Sequence, residues 1–196
     1  MLRKIINFFL PAIVIAGMTG CARQIIVAEA LQQPLGSKVY LKHNVWYKNP
    51  KEISCLNMQE GKIIPFGTEV EPVKVTDDML AFRTPDGKIF VIRYDYSYIM
   101  LPMDAFVQRV FTLKTRAEMT KGMKPEIVKS MLEGKIKRGM TKDQVALTMG
   151  LPPACRTPSR LNNTWLYWLD KESVYRVVFR RGKVNTIVNI NDKPKW

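Results

Sequence analysis

The side chains with the most chemical reach in this chain are few: three cysteines, Cys21, Cys55 and Cys155, and a single histidine, His43. A cysteine nucleophile needs a neighbouring base and a setting that stabilises its thiolate. Cys155 sits in Pro152-Pro153-Ala154-Cys155 rather than at a helix start, and His43 lies beside strand-like residues, where it reads as a surface or turn histidine. A Cys–His hydrolase is therefore not expected. The cysteines show neither CxxC pairing nor metal-ligand spacing, and no glycine-rich phosphate loop is present. Asp77-Asp78 and Asp170 with Glu172 are carboxylate pairs, but both fall in expected turns, where solvation is the ordinary outcome. The expectation is binding without catalysis, cofactor or metal.

Cys21 is the exception, because its surroundings specify a modification. Arg3 and Lys4 form a short positive region, followed by a largely apolar stretch from Ile5 to Ala16. That length is within the roughly 7–15 residues of a signal-peptide core and short of the roughly 20 that span a bilayer. Small residues then precede the cysteine in Met18-Thr19-Gly20-Cys21. This tetrad resembles the bacterial lipobox. The resemblance implies a diacylglyceryl thioether on Cys21, cleavage before it, and acylation of the new amino terminus. Ala22, where an Asp would retain the protein in the inner membrane, resembles the outer-membrane sorting pattern. Residues 1–20 are thus expected to be a lipoprotein signal peptide and 21–37 a lipidated tether. Several acyl chains suffice for stable anchoring, at about 0.8 kcal/mol per buried CH₂.

The chain carries a formal net charge of +14, and loss of Arg3 and Lys4 with the signal leaves about +12. Such an imbalance attracts anionic partners over long range. An exported protein does not meet chromosomal DNA, so nucleic acid is not expected. Peptidoglycan, anionic lipid or the acidic face of an envelope protein are the partners to expect. In an oxidising compartment Cys55 and Cys155 either form a disulfide or remain two buried thiols. Closing a loop of about 100 residues would stabilise by up to roughly 4.7 kcal/mol in the chain-entropy view.

Stepping along the chain, residues 38–114 read as short strands and turns with a trailing helix. Val39-Tyr40-Leu41 and Val45-Trp46-Tyr47 are rich in β-branched and aromatic residues. Met79 to Arg83 and Lys88 to Arg93 flank Thr84-Pro85-Asp86-Gly87, whose residues favour a turn for separate reasons: Pro fixes φ, Asp bonds its own backbone and Gly tolerates positive φ. A helix is expected from Asp104, as N-cap, to about Lys114. Pro65-Phe66-Gly67-Thr68-Glu69-Val70, with the hairpin from Leu80 to Ile92, resembles a bacterial SH3-like domain, which implies a small β-barrel. Thr115 to Lys124 is polar and contains Gly122, and the domain boundary is expected there.

Residues 123–191 carry stronger signals. Pro125 suits a first helical turn. Thr141 followed by Gln144 is a capping box opening a second helix over about Lys142 to Met149, with Gly150 at its end and Pro152-Pro153 preventing continuation. Strands are expected at Thr164 to Leu169, Val174 to Arg180 and Val184 to Ile190. In the middle one, Val174, Arg176, Val178 and Arg180 share one face, and Tyr175, Val177 and Phe179 the other. Gly139-Met140-Thr141-Lys142-Asp143-Gln144-Val145, then Met149-Gly150-Leu151-Pro152, Trp165-Leu166-Tyr167 and Val178-Phe179-Arg180-Arg181-Gly182-Lys183-Val184 are similar to the BamE-like (SmpA/OmlA) domain. The resemblance implies an α+β fold in which two helices cover a three-stranded antiparallel sheet (ααβββ). It also implies an outer-membrane lipoprotein on the periplasmic face, accessory to β-barrel protein assembly. The same architecture occurs in secreted β-lactamase inhibitors, a resemblance of fold alone.

A one-faced sheet cannot bury both Tyr167 and Trp168, because adjacent side chains point to opposite faces. Trp168 is therefore a candidate for a partner surface, together with Arg176, Arg180, Arg181 and Lys183 on the outer side of the hairpin. Two readings stay open: a lipid-tethered scaffold for an envelope protein complex, and a peptidoglycan- or lipid-binding envelope module.

Overall fold

The computed structural model describes residues 23–189; the expected signal peptide and Cys21 lie outside the described residues. Short runs of β-branched and aromatic residues produce strands β1 Val39–Leu41, β2 Val45–Tyr47, β3 Ile53–Ser54, β4 Lys62–Ile64, β5 Glu69–Thr76, β6 Met79–Arg83 and β7 Ile89–Arg93. After the one-turn helix α2 Tyr96–Ile99 and the longer α3 Met103–Val110, the chain returns as β8 Phe111–Thr112. Six of these strands form a curled sheet in the order β3-β7-β6-β5-β1-β8, and β2 pairs with β4 in a separate ribbon. The small barrel expected from the sequence is thus a curled sheet whose two edges, β3 and β8, are not paired with each other. The β6–β7 hairpin turns at Thr84–Gly87 as anticipated, with the Asp86 carboxylate accepting from the Thr84 hydroxyl.

Helix α3 buries Met103, Phe106, Val107 and Val110, spaced to form one stripe against the sheet. Its N-cap position is Pro102 rather than Asp104, which occupies the first turn, where its charge suits the helix N-terminus. The helix stops at Val110 instead of Lys114. Phe111 is drawn into the core edge-on to Phe82, at 5.9 Å between ring centroids, and its backbone pairs with Leu41.

The expected boundary at 115–124 is ordered. Helix α4 Arg116–Met119 begins there with a capping box between Thr115 and Glu118. Arg116 donates from Nε to the Phe66 carbonyl at 3.0 Å. Gly67, at φ +70°, lies so close that a Cβ would meet Arg116 Cβ at 2.5 Å. Helices α5 Pro125–Leu132 and α6 Lys142–Met149 follow, then β9 Thr164–Trp168, β10 Val174–Arg180 and β11 Lys183–Asn189. The sheet is antiparallel in the order β11-β10-β9. Tyr175, Val177 and Phe179 are buried and the alternate residues of β10 are not, as the alternation required. The fold is therefore mixed α+β, with a curled six-stranded sheet and a three-stranded antiparallel sheet.

Among the described residues two hydrophobic cores form, but they do not divide at the expected 115–124 boundary. The first gathers the curled sheet and α3. The second gathers α5, α6 and the three-stranded sheet, and it also takes Trp46 and Phe66 from the N-terminal half. Trp46 reaches the turn after α5 so closely that a Cβ on Gly134 would lie 2.6 Å from its ring. A polar seam joins the halves. Asn44, fully buried, donates from Nδ2 to the Met131 carbonyl at 2.6 Å and accepts at Oδ1 from the Phe66 N–H at 2.9 Å. Asn57 donates to the Asn44 and Met149 carbonyls at 2.9 and 3.1 Å and accepts from the Trp46 N–H at 3.1 Å. The beginning of the expected tether is also docked: helix α1 Val27–Ala30 buries Val27 in the first core.

Candidate functional site

The register of the C-terminal sheet decides which of the candidate surface residues meet. Arg176 lies opposite Leu166 on β9 and Val188 on β11; Trp168 lies opposite Val174, and Arg180 opposite Lys183. Because paired residues share a face, Trp168, Leu166, Arg176, Val178 and Arg180 line the outer surface. α5 and α6 belong to the core on the inner one. A bulge at Val178/Phe179 twists the strand just before the turn. Arg181, at φ +52°, and Gly182 make that turn.

The five candidates do not converge on one spot: three gather at the hairpin tip, one lies at the far end of the face and one between. Arg180, Arg181 and Lys183 line a shallow cleft at the hairpin tip, together with Arg138, which sequence reasoning had passed over. Trp168 sits at the far end, roughly 20 Å along the strands, with the Arg156 guanidinium 5.6 Å from its ring centre. Arg176 is exposed between them. Leu166 and Val178 are half-buried and Val188 is 44% exposed, so the face mixes apolar and cationic groups. Tyr167 points inward, its hydroxyl donating to the Gly150 carbonyl at 2.9 Å.

A second feature was not visible in the sequence. Between the two halves lies a cleft of about 350 Å³ whose lining includes Lys42, Arg109, Lys114 and Arg160 above Met119, Met123, Leu147 and Leu151. Lys42 Nζ donates to the Gln108 carbonyl at 2.9 Å, and Arg109 makes a long contact of 3.4 Å to the Pro152 carbonyl. Burial, then repulsion from Arg160, Lys114 and Arg109, holds the Lys42 ammonium below its usual range. Burial likewise lowers Arg109. The lining carboxylates are engaged: Glu118 bonds the Thr115 hydroxyl and N–H, and Asp143 pairs with Arg160. An anion with a short apolar arm entering here would relieve the repulsion among the cations and cover the methionine floor.

The histidine and thiols stand differently from expectation. His43 is buried, not a surface residue: its ring packs on Gly150, and its Nδ1 is 2.8 Å from the Asn44 carbonyl. Burial holds its imidazole down to about 4, with Lys42 and Arg109 adding repulsion. Cys55 and Cys155 are both free thiols, the first half-buried and the second exposed. Burial pushes the Cys55 thiol up to about 11, and Cys155 adds a small repulsion. Both flank α2: the Cys155 N–H donates to the Tyr98 carbonyl at 3.2 Å and the Cys55 N–H to the Arg93 carbonyl at 3.1 Å. Among the described residues no cluster of three or more His, Cys, Asp or Glu is placed to hold a metal. No described helix is long and apolar enough to cross a membrane. No family model, curated protein or solved structure matches this chain.

Proposed function

We propose that this chain is a lipoprotein of the Gram-negative outer membrane, anchored through Cys21 at the periplasmic face, that works as a non-catalytic scaffold for another envelope protein. In this reading residues 38–114 form an SH3-like module and 123–191 a BamE-like one, and the partner belongs with β-barrel assembly or envelope integrity. The observation that carries the reading is the outer face of the β9–β11 sheet. Trp168, Leu166, Val178 and Val188 alternate there with Arg176 and Arg180, and among the described residues neither arginine forms an ion pair. Aromatic and arginine side chains on one surface are the usual anchors of protein recognition. The test is site-specific photo-crosslinking in intact cells from positions 168 and 176, with position 62 as reference. An adduct with one envelope protein from the first two sites alone is expected. Absence of any envelope-protein adduct from either site rejects the scaffold.

The cationic cleft favours a second reading, a module that grips carboxylates of peptidoglycan or phosphates of anionic lipid. Sedimentation of the soluble body with purified sacculi, or with anionic vesicles, at low and high salt tests it. Binding that Lys42→Gln with Arg109→Gln abolishes supports this reading; no binding at low salt removes it.

A further inference from the structure

The first residues beyond the expected lipid site are fastened to the folded body. Gln24 bridges to Thr76 at the end of β5, and the Ile25 N–H donates to the Val75 carbonyl at 3.0 Å. This extends the part of β5 that β1 leaves unpaired, since β1 reaches only Glu69 and Val70. Gln108 on α3 then donates from Nε2 to the Ala30 carbonyl at 2.8 Å, holding the end of α1. Three Cα–Cα links separate Cys21 from Gln24, at most about 11 Å of chain. A thioether on Cys21 places its acyl chains in the bilayer, so the body has no slack with which to stand away from the headgroups.

The surface around this exit suits that position. Ile26 is 54% exposed, Tyr96 63% and Met100 54%. Ile26 and Tyr96 line one open cleft with Leu101 and Met103. Met100 follows one turn after Tyr96, its N–H bonded to the Tyr96 carbonyl at 2.8 Å. Single exposed apolar residues need no explanation, but Ile26 and Tyr96 share a cleft where the chain leaves for its anchor. Tyrosine at such a point favours the boundary between headgroup and acyl chain. The same cleft carries Glu29, Asp77 and Asp104 against Arg23, so it is locally acidic.

We infer that the protein lies on the bilayer in one orientation, with Ile26 and Tyr96 seated among zwitterionic headgroups whose ammonium meets the local carboxylates. The inference rests on the proposed acylation of Cys21. Its test uses the full-length lipidated protein in phosphatidylethanolamine-rich vesicles, in a background of Cys55→Ser and Cys155→Ser. A fluorophore is placed at Tyr96→Cys, at Ile26→Cys, or at Arg181→Cys on the C-terminal hairpin, and quenching by headgroup-labelled nitroxide lipid is measured. Mass spectrometry of each sample reports the state of Cys21. Quenching at 26 and 96 several-fold stronger than at 181 is expected. Equal quenching at all three sites, with Cys21 acylated, overturns the fixed orientation and leaves the scaffold reading intact. An unmodified Cys21 in protein from the native host removes the lipoprotein reading and this inference with it.

Discussion

Replacing Asn44 with alanine tests whether the two halves are one cooperative unit. The side chain is fully buried and satisfies the Phe66 N–H and the Met131 carbonyl from opposite sides of the seam. In Asn44→Ala the Phe66 N–H is left buried without that acceptor, which costs about 1–3 kcal/mol. The Met131 carbonyl keeps the N–H groups of Glu133 and Gly134, so it loses only the net value of one bond, about 1 kcal/mol. The expected loss is about 2–4 kcal/mol, which for a chain of this length lowers Tm by roughly 5–15 °C. Urea unfolding of the chain without its signal peptide measures it. The described tryptophans, Trp46, Trp165 and Trp168, lie in the second core or on its sheet, whereas far-ultraviolet circular dichroism reports both halves. The two signals coincide in the parent and separate in the variant, because the second core then melts before the curled sheet. A loss below about 0.5 kcal/mol with coincident transitions would refute the seam as the coupling element.

Other consequences follow from the same structure. His43 is depressed to about 4 from its ordinary 6.5, so its contribution is complete above pH 6.5 and is lost as pH falls through about 4; the parent should lose about 3 kcal/mol more than His43→Gln between pH 7 and pH 4, measured as the difference in urea midpoints. Gly67→Ala must hold a left-handed backbone and displace Arg116, whereas Gly87→Ala, at φ +81°, meets open space; thermal melts should show Gly67→Ala the less stable of the two by at least about 1 kcal/mol. Iodoacetamide at pH 7.5 should label Cys155 first and Cys55 at least about tenfold more slowly, by peptide mass spectrometry, because burial keeps the Cys55 thiol protonated. Arg176→Glu should change stability by no more than about 0.5 kcal/mol while reducing any crosslink formed from position 168.

What the sequence disclosed and withheld follows the range of each interaction. The Thr141–Gln144 capping box and Gly150 marked the α6 boundaries to the residue, since capping is written in four consecutive positions. Thr115 and Glu118 carry the same signature, and polar composition masked it, so α4 appeared as a linker. The alternation in Val174–Arg180 separated the buried from the exposed face because a strand has a period of two. Trp46 and Phe66, by contrast, sit in strand-and-turn patterns that would serve either core, and nothing local indicates that they cross to the second. His43 has polar neighbours in sequence, and its burial against Gly150 comes from a segment distant in the chain. Arg138 reaches the hairpin tip because Thr141 bridges to Lys183 and the Gly139 N–H donates to the Val184 carbonyl, pairings that no local pattern announces.

The crossing of Trp46 and Phe66 also explains how the cationic cleft persists. Lys42 follows β1, Arg109 lies in the last turn of α3, Lys114 follows β8, and Arg160 precedes β9, so the four cations come from both halves. Like charges on independent domains would relax by moving the domains apart. Here Asn44, Asn57 and Trp46 hold the walls together, and the repulsion that lowers Lys42 remains within the fold. Charges held in place in this way are what the second reading requires, since preorganisation lowers the cost of binding. If the cleft grips an anion, as the second reading proposes, loosening the seam weakens that binding even where no cleft residue is touched, which makes Asn44→Ala a test of that reading as well as of stability.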